Sequence, residues 1–129
     1  MEFSRVEIIT NQSKLQGLIE RLSKPSFRQK LHKIGVSGIT VTSVLGCGVQ
    51  MGTSEYQEQE NDVMQLLPKT LVMIVCATKT VDELVEIIKN ELYTGHIGDG
   101  KIFVSDITNI IRIRTGEEGA DALNKSTVD

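Results

Sequence analysis

The chain has 129 residues, of which 40% are hydrophobic and 24% are charged, and its formal net charge is −3 at pH 7. This length suffices for one domain with a hydrophobic core, but not for two. A net negative charge argues against general nucleic-acid binding, which needs a broad basic face to displace counterions. The sequence has no apolar run long enough to cross a membrane and does not begin like a signal peptide. We therefore expect a single cytoplasmic domain over residues 1–129.

The first half of the chain predicts two strands separated by helical sequence. Residues 5–10 predict a strand, residues 14–22 a helix, and the β-branched residues 39–45 a second strand. The sequence SKPS at 23–26 interrupts the helix, because proline cannot continue it. Ser26 is a suitable cap for a short second helix.

The second half predicts one amphipathic helix and three strands. The helix covers residues 80–93, and the strands cover residues 71–77, 101–105 and 110–114. Thr80 and Glu83 have the spacing of a capping box at the start of the helix, and Gly95 suits a left-handed residue just past its end. The element order β-α-β-β-α-β predicts an α+β domain with a ferredoxin-like sandwich.

A glycine-rich segment, TGHIGDGKIFV at 94–104, is the strongest candidate for a binding site. Glycines at 95, 98 and 100 allow successive backbone N–H groups to point into one concavity, and Lys101 adds a positive charge. The segment follows a helix and opens a strand, whereas phosphate loops of the common type follow a strand and open a helix. Spacing alone therefore leaves two interpretations open: a phosphate site, or a helix cap followed by a tight turn.

Two arginines lie downstream, in the sequence IRIRTG at 111–116. In a strand, Arg112 and Arg114 would share one face, with Ile111 and Ile113 facing the core. Guanidinium groups bind phosphate oxygens in pairs, which favours an anion site. The alternative is a solvated strand face on which both arginines pair with the glutamates at 117–118.

Several of these motifs together resemble the PII signal-transduction proteins. TGHIGDGKIFV followed by IRIRTGEEGADAL is similar to the C-terminal signature of that family. Upstream, GCGVQMG at 46–52 resembles its G-x-G-x-Q-x-G turn, and LPK at 67–69 resembles the start of its return strand. The resemblance covers residues 34–123 and implies a homotrimer that binds ATP or ADP in clefts between neighbouring subunits.

The resemblance also implies a set of site residues. Gln50 matches a glutamine that coordinates magnesium together with ATP, and Lys69 matches a lysine that binds 2-oxoglutarate. The positions that match nucleotide-binding residues are Thr40, Gly48, Val49, Gln50, Val75, Gly98, Asp99, Gly100, Lys101, Arg112, Ile113 and Arg114.

Departures from the family pattern affect the oxoacid more than the nucleotide. Asn11 and Met51 stand where the family has basic residues near 2-oxoglutarate, and Val49 replaces an arginine that binds phosphate. Each lost cation removes a charge-assisted contact of roughly 1.5–3 kcal/mol. We therefore expect nucleotide binding to persist and 2-oxoglutarate binding to be impaired. Acidic residues also occupy the family's modification and channel-plugging positions, namely Glu58, Glu60 and Asp62.

Three segments and two cysteines stand apart from the minimal domain. Residues 46–67 match the family's T-loop, which docks on targets and is acidic here. Residues 16–33 include about nine more residues than the family's first helix by pattern matching, and form either a solvated helical hairpin or a second docking surface. The tail 124–129 is polar and expected to be loose. Cys47 and Cys76 fit no metal or redox motif, and we expect two semi-buried thiols.

These features predict an adenine-nucleotide sensor that regulates a transporter or a metabolic enzyme through its T-loop, with no enzymatic activity. The alternative is a nitrogen sensor that also binds 2-oxoglutarate and controls ammonium transport. A small nucleotide hydrolase and an assembly module with a vestigial site are the remaining interpretations. We expect no nucleic-acid partner and no insertion into the membrane, although a transporter could recruit the protein to its inner face.

Overall fold

The computed structural model of the chain describes residues 2–33, 35–36, 38–48, 65–95 and 99–124. The strands of its sheet are β1 (Phe3–Asn11), β2 (Thr40–Gly46), β3 (Leu67–Ala77) and β4 (Lys101–Ile107). The α-helices are α1 (Leu15–Ser23), α2 (Pro25–Lys33), α3 (Val81–Leu92) and α4 (Ala120–Asn124). None of the helices in these ranges is long and apolar enough to cross a membrane.

The sheet has strand order β2-β3-β1-β4, and each of its three pairings is antiparallel. Val6 and Ile8 of β1 lie directly opposite Ile74 and Val72 of β3, and all four side chains are almost completely buried. Because alternate residues of a strand share a face, these residues define the inner face of the sheet. The long apolar run in β3 fits its place beside β1 at the centre of the sheet.

One hydrophobic cluster joins this inner face to α1, α2 and α3. Its helical members are Leu18, Leu22, Leu31, Leu84, Ile87, Ile88 and Leu92. The spacing of the buried α3 residues is the three-and-four pattern that the sequence predicted for that helix. Helices packed on one face of an antiparallel sheet, in the order β-α-β-β-α-β, confirm the predicted ferredoxin-like α+β fold.

The segment 16–33, which the resemblance predicted to be an insertion, forms most of α1 and all of α2, with the predicted break between them. Lys24 is extended, and α2 begins at Pro25, so Ser26 lies in its first turn and not at its cap as predicted. The guanidinium of Arg21 lies 4.7 Å from the centre of the Phe27 ring and pairs with Glu91 of α3 at 3.3 Å. Since Leu22 and Leu31 also belong to the core, the insertion is anchored to the domain and is more than a solvated hairpin.

The predicted strand at 110–114 is wrong. Only an isolated bridge joins Ile111 to Glu118, and the segment turns back on itself through a bond from Gly116 N to Arg112 O of 2.8 Å. Ile111 and Ile113 are 61% and 99% exposed, so neither faces the core. A left-handed Gly116, with φ of +72°, reverses the chain here.

The predicted capping box at the start of α3 is also wrong. Thr80 makes no side-chain cap bond, and its hydroxyl instead donates to Ala77 O at 2.8 Å. Two other predictions concern residues outside the described ranges. These are most of the T-loop (49–64) and most of the tail (125–129).

Candidate functional site

Gly100 of the glycine-rich segment packs closely against the backbone near the end of β1. Gly100 has a φ of +103°, and a Cβ there would lie 2.2 Å from the carbonyl oxygen of Ile9. Glycine is therefore required at this position by packing against β1. Gly95 also has a positive φ, +81°, as the sequence predicted. Gly98 lies outside the described residues.

Asp99 holds this segment together from within. Its carboxylate accepts hydrogen bonds from the backbone N–H of Thr94 at 2.8 Å and of Gly95 at 3.0 Å, and from the Thr94 hydroxyl. Its backbone carbonyl accepts from the buried Thr10 hydroxyl at 2.9 Å. The side chain that the resemblance matched to a nucleotide contact thus binds both N–H groups at the start of its own segment.

Lys14 contacts this segment, which the sequence did not reveal. Its ammonium lies 2.8 Å from Asp99 Oδ1 and donates to the Leu92 carbonyl oxygen, at the end of α3, at 2.6 Å. The hydrogen bonds from Lys14 and Thr94 hold the pKa of the Asp99 carboxyl far below its ordinary range. The contact joins residues 85 positions apart, so no local pattern announces it.

Two candidate cations lie on the outer face of the sheet, near the same end. Lys101 opens β4 opposite Ile9, and Lys69 in β3 lies opposite Asn11. Strand spacing and register place the two lysine Cα atoms about 12 Å apart, on either side of β1. Lys69 donates to Asn11 Oδ1 at 2.6 Å. The structure thus brings the predicted oxoacid lysine to the same end of the sheet as the glycine-rich segment.

The base of the T-loop emerges at this end as well. β2 ends at Gly46, which pairs with Leu67 at the start of β3, two residues before Lys69. Cys47 and Gly48 follow β2 and are exposed. The predicted contacts Val49 and Gln50 lie outside the described residues. The T-loop therefore leaves the sheet at the same end as the glycine-rich segment, from the opposite edge strand.

Other predicted contacts lie farther along the sheet. Thr40 is opposite Met73, on the outer face, and Val75 lies on the same face of β3, about 20 Å from Lys69 in extended backbone. The outer face between them carries apolar side chains together with the Arg5–Glu7 ion pair. Ile9 is 36% exposed and Phe103 is 51% exposed on this face.

Arg112 and Arg114 follow the opposite end of β4 in the chain. That strand is seven residues long, and its far end, where the chain leaves the sheet, is about 20 Å from Lys101. Arg112 is half-buried, and its Nη2 donates to the Ala122 carbonyl oxygen at 2.9 Å. Ile113 and Arg114 are exposed in the turn that follows. The two arginines therefore do not alternate along a strand, as the sequence had suggested.

Comparison with known proteins agrees with this arrangement. Residues 3–117 match the family model for nitrogen regulatory protein P-II. Among curated relatives, the nitrogen regulatory protein P-II of Cyanidium caldarium is 43% identical over 86% of this chain and 98% of its own. That of Rhizobium meliloti is 41% identical over 85% of this chain and 98% of its own.

Solved structures show the same fold. The B. subtilis GlnK–ATP complex has a TM-score of 0.70 and 38% identity, over 95% of this chain and 96% of its own. Arabidopsis thaliana PII bound to citrate has a TM-score of 0.66 and 32% identity, over 94% of this chain and 92% of its own. This chain therefore belongs to the nitrogen regulatory protein P-II family of signal-transduction proteins.

Proposed function

We propose that this protein is an adenine-nucleotide sensor, in which ATP and ADP compete for a site between subunits of a homotrimer. The observation that carries the proposal is that the glycine-rich segment, Lys101 and the base of the T-loop all lie at the same end of the sheet. The relation to B. subtilis GlnK, solved as an ATP complex, supports adenine nucleotide as the ligand.

The electrostatics of the segment suit an anion. A free carboxylate at Asp99 would repel phosphate, but Lys14 lies 2.8 Å away and two backbone N–H groups donate to it. Lys101 is exposed and supplies positive charge beside Gly100. In this proposal the loop presents its remaining polar groups to the phosphates, and Lys101 supplies a charge-assisted contact.

The location of the arginines supports a site made from two subunits. Within one chain, Lys101 and the turn bearing Arg112 and Arg114 join β4 at opposite ends. We propose that a neighbouring subunit packs on the outer face, over Ile9 and Phe103, and brings its own arginine turn toward the glycine-rich segment. Burying Ile9 and Phe103 would also stabilise such a trimer, because exposed apolar clusters favour association.

Signalling would follow from a difference between the two nucleotides. A ligand shifts a loop between conformations only through its differential affinity for them. ATP carries the γ-phosphate and a magnesium ion for which Gln50 is the proposed protein ligand. The T-loop leaves the sheet at the end where this site lies, so we propose that it changes conformation with the bound nucleotide and regulates a transporter or metabolic enzyme.

A second candidate is a nitrogen sensor that also binds 2-oxoglutarate. Lys69 favours it, because this lysine lies at the T-loop base on the outer face. The Arabidopsis relative was solved with citrate, which is also a polycarboxylate. Asn11 disfavours it, because an amide replaces the second positive charge that the family pattern predicts there.

Calorimetric titration separates these functions. ATP with magnesium and ADP are titrated into the purified oligomer, each with and without 2-oxoglutarate. The proposal predicts binding of both nucleotides near one per chain, with no effect of the oxoacid. Oxoacid binding that requires ATP and magnesium would establish the nitrogen sensor. Absence of nucleotide binding would contradict both.

A further inference from the structure

Lys14 occupies a junction between three elements. It lies where the chain passes from β1 into α1, and its ammonium contacts both the last turn of α3 and Asp99 of the glycine-rich segment. Its side chain is 20% exposed, so these contacts are partly shielded from water. The resemblance assigned no role to this residue.

Both partners of the ammonium carry negative charge, a partial one on the Leu92 carbonyl oxygen and a full one on the Asp99 carboxylate. The Leu92 carbonyl is among the last four of α3, which have no partner within the helix and form the negative end of its dipole. The Asp99 carboxylate lies at that same end, where a negative charge is unfavourable without a cation. Lys14 satisfies the carbonyl at 2.6 Å and the carboxylate at 2.8 Å. Without the charge of Lys14, the Asp99 carboxylate and the negative end of the α3 dipole would repel each other.

Asp99 in turn fixes both ends of the segment. Through its carboxylate it binds the N–H groups of Thr94 and Gly95, where the segment begins. Through its backbone carbonyl it is tied to Thr10, beside the place where Gly100 packs on β1. The positions of Thr94 and Gly95 relative to Asp99 and Gly100 therefore depend on where this carboxylate lies.

We propose that Lys14 is a positioning residue for phosphate binding and that it acts through Asp99. The inference rests on the proposed nucleotide-binding function. Lys14 does not contact the nucleotide in this account. It holds the Asp99 carboxylate against α3, and the carboxylate holds the segment in the form that receives phosphate. A segment that must first be ordered by the ligand binds it more weakly.

The test compares ligands that share the adenosine but differ in phosphates. ATP and AMP affinities are measured by calorimetry for the unaltered protein and for Lys14→Met, Lys14→Arg, Asp99→Asn and the double variant Lys14→Met/Asp99→Asn. Lys30→Met is the matched control, since Lys30 is an exposed lysine of α2 outside the site. Thermal melting of each variant without ligand reports the loss of stability separately.

We expect Lys14→Met to weaken ATP binding by roughly tenfold or more, the equivalent of one charged hydrogen bond, and AMP binding much less. Lys14→Arg should restore most of the loss, because it retains the charge. The double variant should bind ATP no more weakly than the more damaging single variant, since both substitutions remove the same contact. Lys30→Met should bind both ligands as the unaltered protein does.

Three results would overturn the inference. An unchanged ratio of ATP to AMP affinity in Lys14→Met, with a lower melting temperature, would show a role in stability alone. Additive losses in the double variant would show that Lys14 does not act through Asp99. If Lys14→Met does not fold, an unchanged ratio of ATP to AMP affinity in Asp99→Asn would overturn the inference instead. Failure of the unaltered protein to bind ATP would contradict the proposed function itself, and this inference with it.

Discussion

The Lys69 ammonium donates a hydrogen bond of 2.6 Å to the side-chain oxygen of Asn11, directly across the pairing of β3 with β1. The amide fixes the lysine without adding charge. A dicarboxylate arriving at this place would meet one cation and would have to compete with Asn11 for it. The bond thus gives a structural reason to expect weak oxoacid binding.

The oxoacid prediction can be tested by restoring the charge. We expect 2-oxoglutarate to produce no measurable heat when it is titrated into the protein saturated with ATP and magnesium. Asn11→Lys should increase oxoacid affinity by about tenfold or more, the value of one charge-assisted contact. Tight binding by the unaltered protein would show that one lysine suffices.

Gly100 should be the least replaceable of the described glycines. Gly100→Ala forces a Cβ to within 2.2 Å of the Ile9 carbonyl and places alanine at a φ of +103°. Strain and overpacking together should cost about 3–5 kcal/mol of unfolding free energy. Gly116→Ala is the control, because its φ is also positive but its Cβ would meet nothing within 4 Å. It should cost only about 1–2 kcal/mol.

Urea denaturation at neutral pH measures both changes. Similar losses for Gly100→Ala and Gly116→Ala would mean that the contact with β1 is not close enough to exclude a methyl group.

Acid should weaken the fold through Asp99. Its pKa is lowered in the folded protein, chiefly by the hydrogen bonds from Lys14 and Thr94. The unfolded chain therefore binds more protons than the folded one below the ordinary aspartate pKa of about 3.9, and stability falls as pH falls through that region. At pH 7 the unaltered protein should be more stable than Asp99→Asn. The difference should shrink as pH falls from 5 toward and below about 3.

Thermal melting of the two proteins across this pH range is the measurement. A difference in melting temperature that stays constant with pH would mean that the charge of Asp99 does not contribute.

The two cysteines should react very differently. Cys47 is exposed at the base of the T-loop, whereas Cys76 is fully buried, so neither is semi-buried as the sequence had suggested. Burial also raises the pKa of the Cys76 thiol, which further lowers its reactivity. A thiol reagent should label only Cys47 in the folded protein, and ATP should slow that labelling because Gly48 is a proposed contact. Labelling of Cys47 at the same rate with saturating ATP would place the nucleotide elsewhere.

Much of the fold could be predicted from local patterns. The alternation in β1, the apolar run in β3 and the helical spacing of Leu84, Ile88 and Leu92 each depend on neighbours close in sequence. The alternation of Ile111 to Arg114 looked the same, yet within the described ranges it makes only an isolated bridge to Glu118, and glycines at 116 and 119 turn the chain back. A strand requires a partner, and the partner cannot be seen in the strand itself.

The site was predicted less completely than the fold. Family resemblance selected the glycine-rich segment, and the structure places Asp99, Gly100 and Lys101 at the end of the sheet where the T-loop begins. The resemblance did not indicate that Gly100 is required by contact with Ile9, or that Lys14 neutralises Asp99. Both relations connect β1, or the residues just after it, with a loop 85 to 91 positions later in the chain. Such contacts depend on the folded topology and leave no periodic signal.

The central claim, that one nucleotide is bound by two subunits, can be tested with mixed trimers. Lys101→Ala removes the cation of the glycine-rich segment, and Arg112→Gln/Arg114→Gln removes the arginine pair. Each variant alone is expected to bind ATP too weakly to detect by calorimetry. The two are then unfolded together, refolded as a mixture, and titrated with ATP, while native mass spectrometry confirms that their subunits have exchanged.

If the site lies between subunits, the mixture recovers binding. A site between two subunits is intact when one subunit is the arginine variant, which supplies Lys101, and its neighbour is the lysine variant, which supplies both arginines. Random assembly gives this combination at about a quarter of the sites. We therefore predict ATP binding with near-normal affinity at about a quarter of the unaltered stoichiometry. An exchanged mixture that binds no ATP, while the unaltered protein binds it, would show that both groups act within one chain and would contradict the account.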